Sequence, residues 1–390
     1  MCSRPCAASP NLEWSLGSGQ AVFEAAPRVC SETMPRYRPD LAQIAPYEPG
    51  LPIEEVARRH GLDPLSIIKL ASNESPYGPF PEAVEAMAAA AVRANRYPDN
   101  EGYELRDTLG KHLAVDPSSL WLGGGSSELL RTIALAVGGP GTNAVYAWPS
   151  FIIYRLGAMW AMSERREVPL DSEHRHDLDA LAAAVDDETT LVFICNPNNP
   201  TGTHVPADDV AAFVEAMPDR VTVVVDEAYY EFVTAADYRS LAPLAAERPN
   251  LIVTRTFSKV YALASLRVGY AVAHPDTVAE MRRAQAPFTV TQVGQAAAAA
   301  SLSSPSRVAA RVEDNARGRR LLMDAMADRG VPHADSQANF VWFHSRASEP
   351  STDYTRTGVI VRTFGEDWIR VTVGTDDENT RFLEALDSIG

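Results

Sequence analysis

The residues of this chain best placed to do chemistry are a lysine, an aspartate and a glycine-rich turn, each where an apolar strand should end. Lys259 lies in TRTFSK, just after the run LIVTR (251–255). Alone, a lysine in a Thr–Ser setting is an ordinary surface cation. Asp226 closes the run VTVVV (221–225) and opens DEAYYEF. A carboxylate at the end of a buried strand is costly unless a cation meets it. A protonated heterocyclic nitrogen is such a cation, although a strand-end Asp is as often structural. Tyr229 in the same stretch, and Asn199 in NPNNPTG, can each hydrogen-bond a ring oxygen. The Asn/Pro segment also reads as a plain turn. GGGSSELL (123–130) joins a short strand to a helix start. Free amides of Ser126 and Ser127 there make a phosphate site, and glycine lets a ligand approach the backbone closely. A dinucleotide is the competing ligand, but GGGSSE lacks the third glycine of that fingerprint. Ser258 and Arg267 flank Lys259 and offer a hydroxyl and a bidentate guanidinium to the same phosphate.

These residues need rigid elements behind them. Continuous apolar strands are expected at AVYAW (144–148), LVFIC (191–195), VTVVV, LIVTR and VGYAVA (268–273), with helical patterns at 206–217 and 276–286 between them. Such runs, separated by helices, imply an α/β fold with a mostly parallel sheet covered on both faces. Ligands of such sheets sit beyond the carboxyl ends of the strands, where every motif above falls. From about residue 305 the pattern changes to a long charged helix (306–329), then NFVWF (339–343), VIVR (359–362), WIRVTV (368–373) and a last helix. A smaller α+β domain is expected from 287–390 together with the N-terminal segment 34–74, and the large domain from 75–286. Residues 1–33 are Ser-, Ala- and Pro-rich and are expected to be a disordered extension, without the basic start and apolar core of a secretory signal.

Composition sets limits on function. A net charge of −16 over 390 residues leaves no basic excess for nucleic acid or an anionic membrane. No apolar stretch reaches the ~20 residues of a membrane span. The four cysteines show neither zinc-ligand spacing nor a disulfide framework, so no metal site and a reducing cytoplasm are expected.

The order of motifs is more specific than any one of them. KLASNESPYGP, NRYPDN, GGGSSE, NPNNPTG, DEAYYEF, TRTFSK, SLRVGY, ANFVWF, VIVR and RVTVGT together resemble the fold-type I pyridoxal-phosphate aminotransferases, in the subgroup of histidinol-phosphate and aromatic aminotransferases. The likeness runs from about Pro46 to the C-terminus. It implies that Lys259 carries pyridoxal 5'-phosphate covalently, that Asp226 pairs with the ring nitrogen, and that Asn199 and Tyr229 meet the ring oxygen. Ser126, Ser127, Ser258 and Arg267 would hold the phosphate, and Phe151 would stack on the ring, where many relatives have Tyr. Tyr97 would reach the cofactor of a second copy, which implies a homodimer with shared sites. Arg370 would clamp a substrate carboxylate, and Arg362 with Tyr47 a phosphate or second anion. Ser265 stands where the family usually has Gly, and GGGSSE replaces the commoner Gly-Asn-Gly form.

The implied chemistry is amino transfer from a small-molecule donor to a 2-oxo acid. A free lysine, with a pKa of ~10.4, is a poor base at neutral pH, so burial and neighbouring positive charge must depress it. The expected donor is L-histidinol phosphate with 2-oxoglutarate as acceptor. Phenylalanine or tyrosine is the alternative, and decarboxylation of a phosphorylated amino acid a lesser one. A cofactor-sensing regulator would need a DNA-binding module that residues 1–33 do not supply.

Overall fold

The computed structural model describes residues 36–47 and 50–389, so the extension expected at 1–33 lies outside the described residues. The chain divides into compact units at 1–45 and 46–390; the described part of the first holds a short 3-10 helix, Pro39–Gln43.

Among its described residues the second unit contains twelve strands: β1 (Ile68–Lys69), β2 (Leu120–Gly123), β3 (Asn143–Trp148), β4 (Glu164–Pro169), β5 (Thr189–Cys195), β6 (Thr222–Asp226), β7 (Leu251–Thr256), β8 (Gly269–Ala273), β9 (Phe340–His344), β10 (Val359–Ile360), β11 (Arg362–Phe364) and β12 (Trp368–Thr372). Seven form the main sheet in the order β2-β8-β7-β6-β5-β3-β4. Neighbours from β7 to β4 pair in parallel, and β8 alone runs antiparallel to both β7 and β2. The fold is therefore the α/β, mostly parallel architecture expected.

The apolar runs explain how both faces are covered. Side chains alternate along a strand, so Val192 and Ile194 of β5 join one hydrophobic cluster while Leu191, Phe193 and Cys195 join the other. Val223 and Val225 of β6 likewise point away from Val224. Helices Ser126–Val137 and Ile152–Trp160 cover the second face. Helices Pro81–Ala91, Tyr103–Leu113 and Ala207–Ala216 cover the first.

A smaller layer follows. Strands β11-β12-β9 form an antiparallel sheet, and β1 pairs in parallel with β10. Leu322 and Met326 of the long helix Pro305–Asp328 and Phe382 of the last helix share a third core with Ile68, Leu70 and Val371. Residues near 68–70 thus pack with the C-terminal part of the chain.

Three expectations need correction. The boundary at 286/287 falls too early, because Ala297, Ala298 and Leu302 of helix Gln292–Leu302 pack in the same cluster as β6 and β7. VIVR is not one strand: Val359–Ile360 pairs with β1, and Arg362–Phe364 turns to pair with β12. Strand β4 was not anticipated, since ERREVP at the sheet edge carries charges rather than an apolar run.

Candidate active site

The carboxyl ends of β5, β6 and β7 bring three of the expected residues together. Asp226 is 2% exposed. Its carboxylate accepts from Tyr154 Oη at 2.9 Å and Thr254 Oγ1 at 3.1 Å. Burial pushes its pKa up to about 6 against the pull of those two hydroxyls. Among the described residues it forms no ion pair. Glu227, its neighbour on the chain, is also buried but is neutralised by Arg255 at 2.9 Å. Two adjacent acids therefore have different fates: Glu227 is paired with a guanidinium, whereas Asp226 is held by hydroxyls and has no cation beside it among the described residues.

Lys259 follows β7, and its side chain opens partly into the cleft. Its amine donates to Asn73 O at 3.1 Å and Ser72 O at 3.5 Å. Burial, and then the Arg370 guanidinium, draw its pKa down to about 7, while the fields of Glu74 and Asp226 oppose the drop. The Lys259 amine lies 5.5 Å from the Tyr229 ring, and Asn73 hydrogen-bonds to both residues. Tyr229 is fully enclosed, burial raises its pKa, and its hydroxyl accepts from Asn73 Nδ2 at 3.0 Å.

Asn199 and Arg370 meet directly, the guanidinium donating to Asn199 Oδ1. Arg370 also donates to Ala71 O at 2.7 Å, and its Cζ lies 5.3 Å from the Phe340 ring and 5.5 Å from Phe364. Its Nε is buried without a protein partner. Burial and Arg362 draw its pKa down to about 10. Arg362 sits directly across from it in the β11–β12 register, 5.7 Å from the Tyr47 ring.

The phosphate turn is shaped by close backbone approach. Gly125 has φ +81, and no side chain caps the twelve-residue helix that starts at Ser126. A Cβ on Gly125 would lie 2.5 Å from Arg267 Nη2, and one on Gly269 would lie 2.5 Å from the Ser126 amide nitrogen. Both glycines are thus required to bring the Arg267 guanidinium up to the helix start. Ser258 Oγ accepts from Thr256 Oγ1 at 2.9 Å just beyond the end of β7. Ser127 follows Ser126 in the first turn, where dipole and amides favour an anion. Ser265 lies in a short 3-10 turn, Ala264–Leu266, without a positive φ. The glycine usual in the family is not demanded by this backbone; the left-handed conformation falls on Arg267 instead, at φ 54.

Phe151 caps the helix that carries Tyr154 and meets that ring edge-on at 5.9 Å. Tyr97 is not part of the cluster within one chain. It is 81% exposed and stacks on Phe288 at 4.7 Å.

Asn73, Tyr154 and Thr254 belong to the site and were not singled out by type or spacing. Asn73 lies in a segment quoted for its resemblance, yet its left-handed φ of 54 has no local signature. Tyr154 reads as an ordinary helix aromatic, and only tertiary structure aims its hydroxyl at Asp226.

An acid open to an external cation, a depressed lysine and an uncapped helix start fit a flat, phosphorylated heterocycle. On this fold they define a fold-type I pyridoxal-phosphate aminotransferase. The profile of the family described as aminotransferase class I and II matches residues 66–386, and the chain belongs to this family. It is 41% identical over 360 residues to the histidinol-phosphate aminotransferase of Bacillus subtilis (strain 168), covering 91% of this chain and 99% of that one. It is 42% identical over 361 residues to histidinol-phosphate aminotransferase 1 of Cupriavidus pinatubonensis, covering 90% and 96%. Among solved structures, the histidinol-phosphate aminotransferase of Sinorhizobium meliloti in complex with pyridoxal-5'-phosphate superposes with a TM-score of 0.83 at 28% identity, over 92% of this chain and all of that one.

The raised pKa of Asp226 has a thermodynamic consequence. An acid whose folded pKa exceeds its unfolded value stabilises the fold fully below the unfolded pKa, and that contribution is lost as pH rises through the folded one. In protein stripped of ligands, wild type should lose on the order of 2–3 kcal/mol relative to Asp226→Asn between pH ~4 and ~7. Urea unfolding of both proteins across that range checks this; a difference independent of pH would contradict it.

Proposed function

We propose that this enzyme transfers the amino group of L-histidinol phosphate to 2-oxoglutarate, giving imidazole acetol phosphate and L-glutamate, with pyridoxal phosphate held by Lys259. The observation that carries the substrate assignment is the pair Arg362 and Arg370, cross-strand neighbours at the cleft. Each proposed substrate brings strong anions, a phosphate on one and two carboxylates on the other. Paired guanidiniums, one of them buried, match that requirement. The histidinol-phosphate aminotransferases that cover almost the whole chain support the same choice.

When bound, pyridoxal phosphate supplies an aldehyde carbon for an amine and a protonated ring that accepts electrons from the substrate α-carbon. The protein does the rest. Asp226 would keep the ring nitrogen protonated, because a buried acid held by hydroxyls and a backbone amide, with no cation beside it, gains most by meeting one. Asn199 and Tyr229 would meet the ring oxygen, and Phe151 would pack on the ring. Ser126, Ser127, Ser258 and Arg267 hold the phosphate. The Lys259 amine, drawn toward neutrality by burial and Arg370, takes the α-proton and returns it. Arg370 fixes a carboxylate, while Arg362 with Tyr47 fixes the phosphate or second carboxylate.

The active unit in this proposal is a cytoplasmic homodimer. Tyr97 supports the dimer, being an aromatic side chain left 81% exposed and braced by Phe288. Its hydroxyl would serve the phosphate of the second copy's cofactor. The segment around Ile68–Leu70 and the C-terminal part would form the smaller domain.

Two outcomes are expected. In a panel of amino donors with 2-oxoglutarate, histidinol phosphate should give the highest kcat/KM. Measured in the donor half-reaction, without 2-oxoglutarate, Arg362→Ala should raise the KM for histidinol phosphate by about 10- to 100-fold, the worth of a charge-assisted contact, and leave that for phenylalanine unchanged. Preference for phenylalanine or tyrosine, or an Arg362→Ala effect equal on all donors, would favour an aromatic aminotransferase. Second, subunits carrying Tyr97→Phe mixed with subunits carrying Lys259→Ala should regain activity beyond the sum of the two parents. No gain on mixing would remove the cross-subunit role.

A further inference from the structure

Asn73 hydrogen-bonds to two of the residues assigned above, Lys259 and Tyr229. It is 1% exposed and belongs to the segment that follows β1, where its φ is 54. That left-handed backbone, which asparagine tolerates well, turns three of its groups in different directions. The carbonyl accepts from Lys259 Nζ at 3.1 Å and Asn339 Nδ2 at 3.2 Å. The amide N–H donates to Thr372 Oγ1 at 3.0 Å, and Thr372 Oγ1 donates to Asn73 Oδ1 at 3.3 Å. With the side-chain oxygen satisfied by Thr372, the Nδ2 end faces Tyr229 and donates to its hydroxyl at 3.0 Å.

A phenol has one proton and two acceptor lone pairs. If a lone pair of Tyr229 is filled by Asn73, its single proton is left to be given elsewhere, and chains of hydrogen bonds strengthen one another. The group that needs that proton, on the function proposed above, is the ring oxygen of the cofactor. We propose that Asn73 is a positioning residue that fixes the direction of the Tyr229 proton, making the tyrosine a donor to the cofactor ring oxygen. Thr372 sets the orientation of the amide, and the left-handed backbone lets the same residue hold the lysine through its carbonyl without involving its side chain. The two functions are therefore separable by substitution at one position.

Two variants separate them. Asn73→Gly keeps a residue at ease with φ 54 and keeps the carbonyl that meets Lys259, but removes the amide. Asn73→Asp keeps the shape but replaces the donor with an acceptor, so that Tyr229 would give its proton to residue 73. Hydrogen bonding to the charged form of a group favours that form. A donor on the ring oxygen therefore lowers the pH at which the visible band of the bound cofactor titrates, and loss of the donor raises it.

The experiment is a spectrophotometric pH titration of the three holoenzymes, with kcat and KM measured beside it. The midpoint should rise by about half to one pH unit in Asn73→Gly and by more in Asn73→Asp, with kcat falling more than KM changes. An Asn73→Asp midpoint equal to wild type would overturn the proposal, since the amide would then be accepting from Tyr229. An unmoved midpoint in Asn73→Gly, or failure of Asn73→Gly to fold while Asn73→Asp folds and titrates as wild type, would overturn it as well. Absence of any visible band in wild type reconstituted with pyridoxal phosphate would instead sink the cofactor assignment, which distinguishes the two failures.

Discussion

The site depends on a buried negative charge that the protein does not itself neutralise. Asp226 is held by two hydroxyls inside the large sheet, while Glu227 beside it is closed off by Arg255. A charge held this way costs folding free energy unless a cation arrives. The structure therefore stores, at the end of β6, a demand for a ligand with a protonated nitrogen. Everything else in the cleft is placed relative to that demand: an amine lowered toward neutrality on one side, a phosphate-binding helix start on another, and guanidiniums above.

Charge of the opposite sign comes from the smaller layer. Arg362 and Arg370 face each other across β11 and β12, and Arg370 reaches Asn199 and Ala71 O. Two like charges at adjacent strand positions repel, and the pKa of Arg370 is drawn down first by burial and further by Arg362. Binding a dianionic or dicarboxylate substrate would relieve that repulsion. In the proposed function the large-sheet acid would meet the cofactor and the small-sheet cations the substrate. The same arginine that awaits substrate also lowers the Lys259 pKa, so substrate recognition and base strength share one electrostatic field.

Much of this was legible in residue order. Apolar runs that alternate between two clusters marked β5, β6 and β7, and each ended at a residue the structure brings into the cleft. The glycine turn and the helix start were visible because their chemistry is local. What was not legible depends on contacts distant in the chain. Asn73 meets Tyr229 across 156 positions, and Tyr154 meets Asp226 across 72; no periodicity encodes either. Strand β4 escaped notice because an edge strand is allowed to be charged. The break inside VIVR and the antiparallel course of β8 are set by which strand each segment pairs with, a tertiary choice. The early boundary at 287 reflects a helix whose alanines pack on the large sheet, together with Val290 before it and Val308 and Val312 after it.

The central claim is that one amine, Lys259, forms the covalent link to an aldehyde cofactor lying over Asp226. Borohydride reduction of the purified protein with pyridoxal phosphate, followed by peptide mass mapping, tests it most directly. The expected result is a single reduced phosphopyridoxyl adduct on the peptide containing Lys259, absent in Lys259→Ala. An adduct located on another lysine in wild type, or no adduct at all, would contradict it.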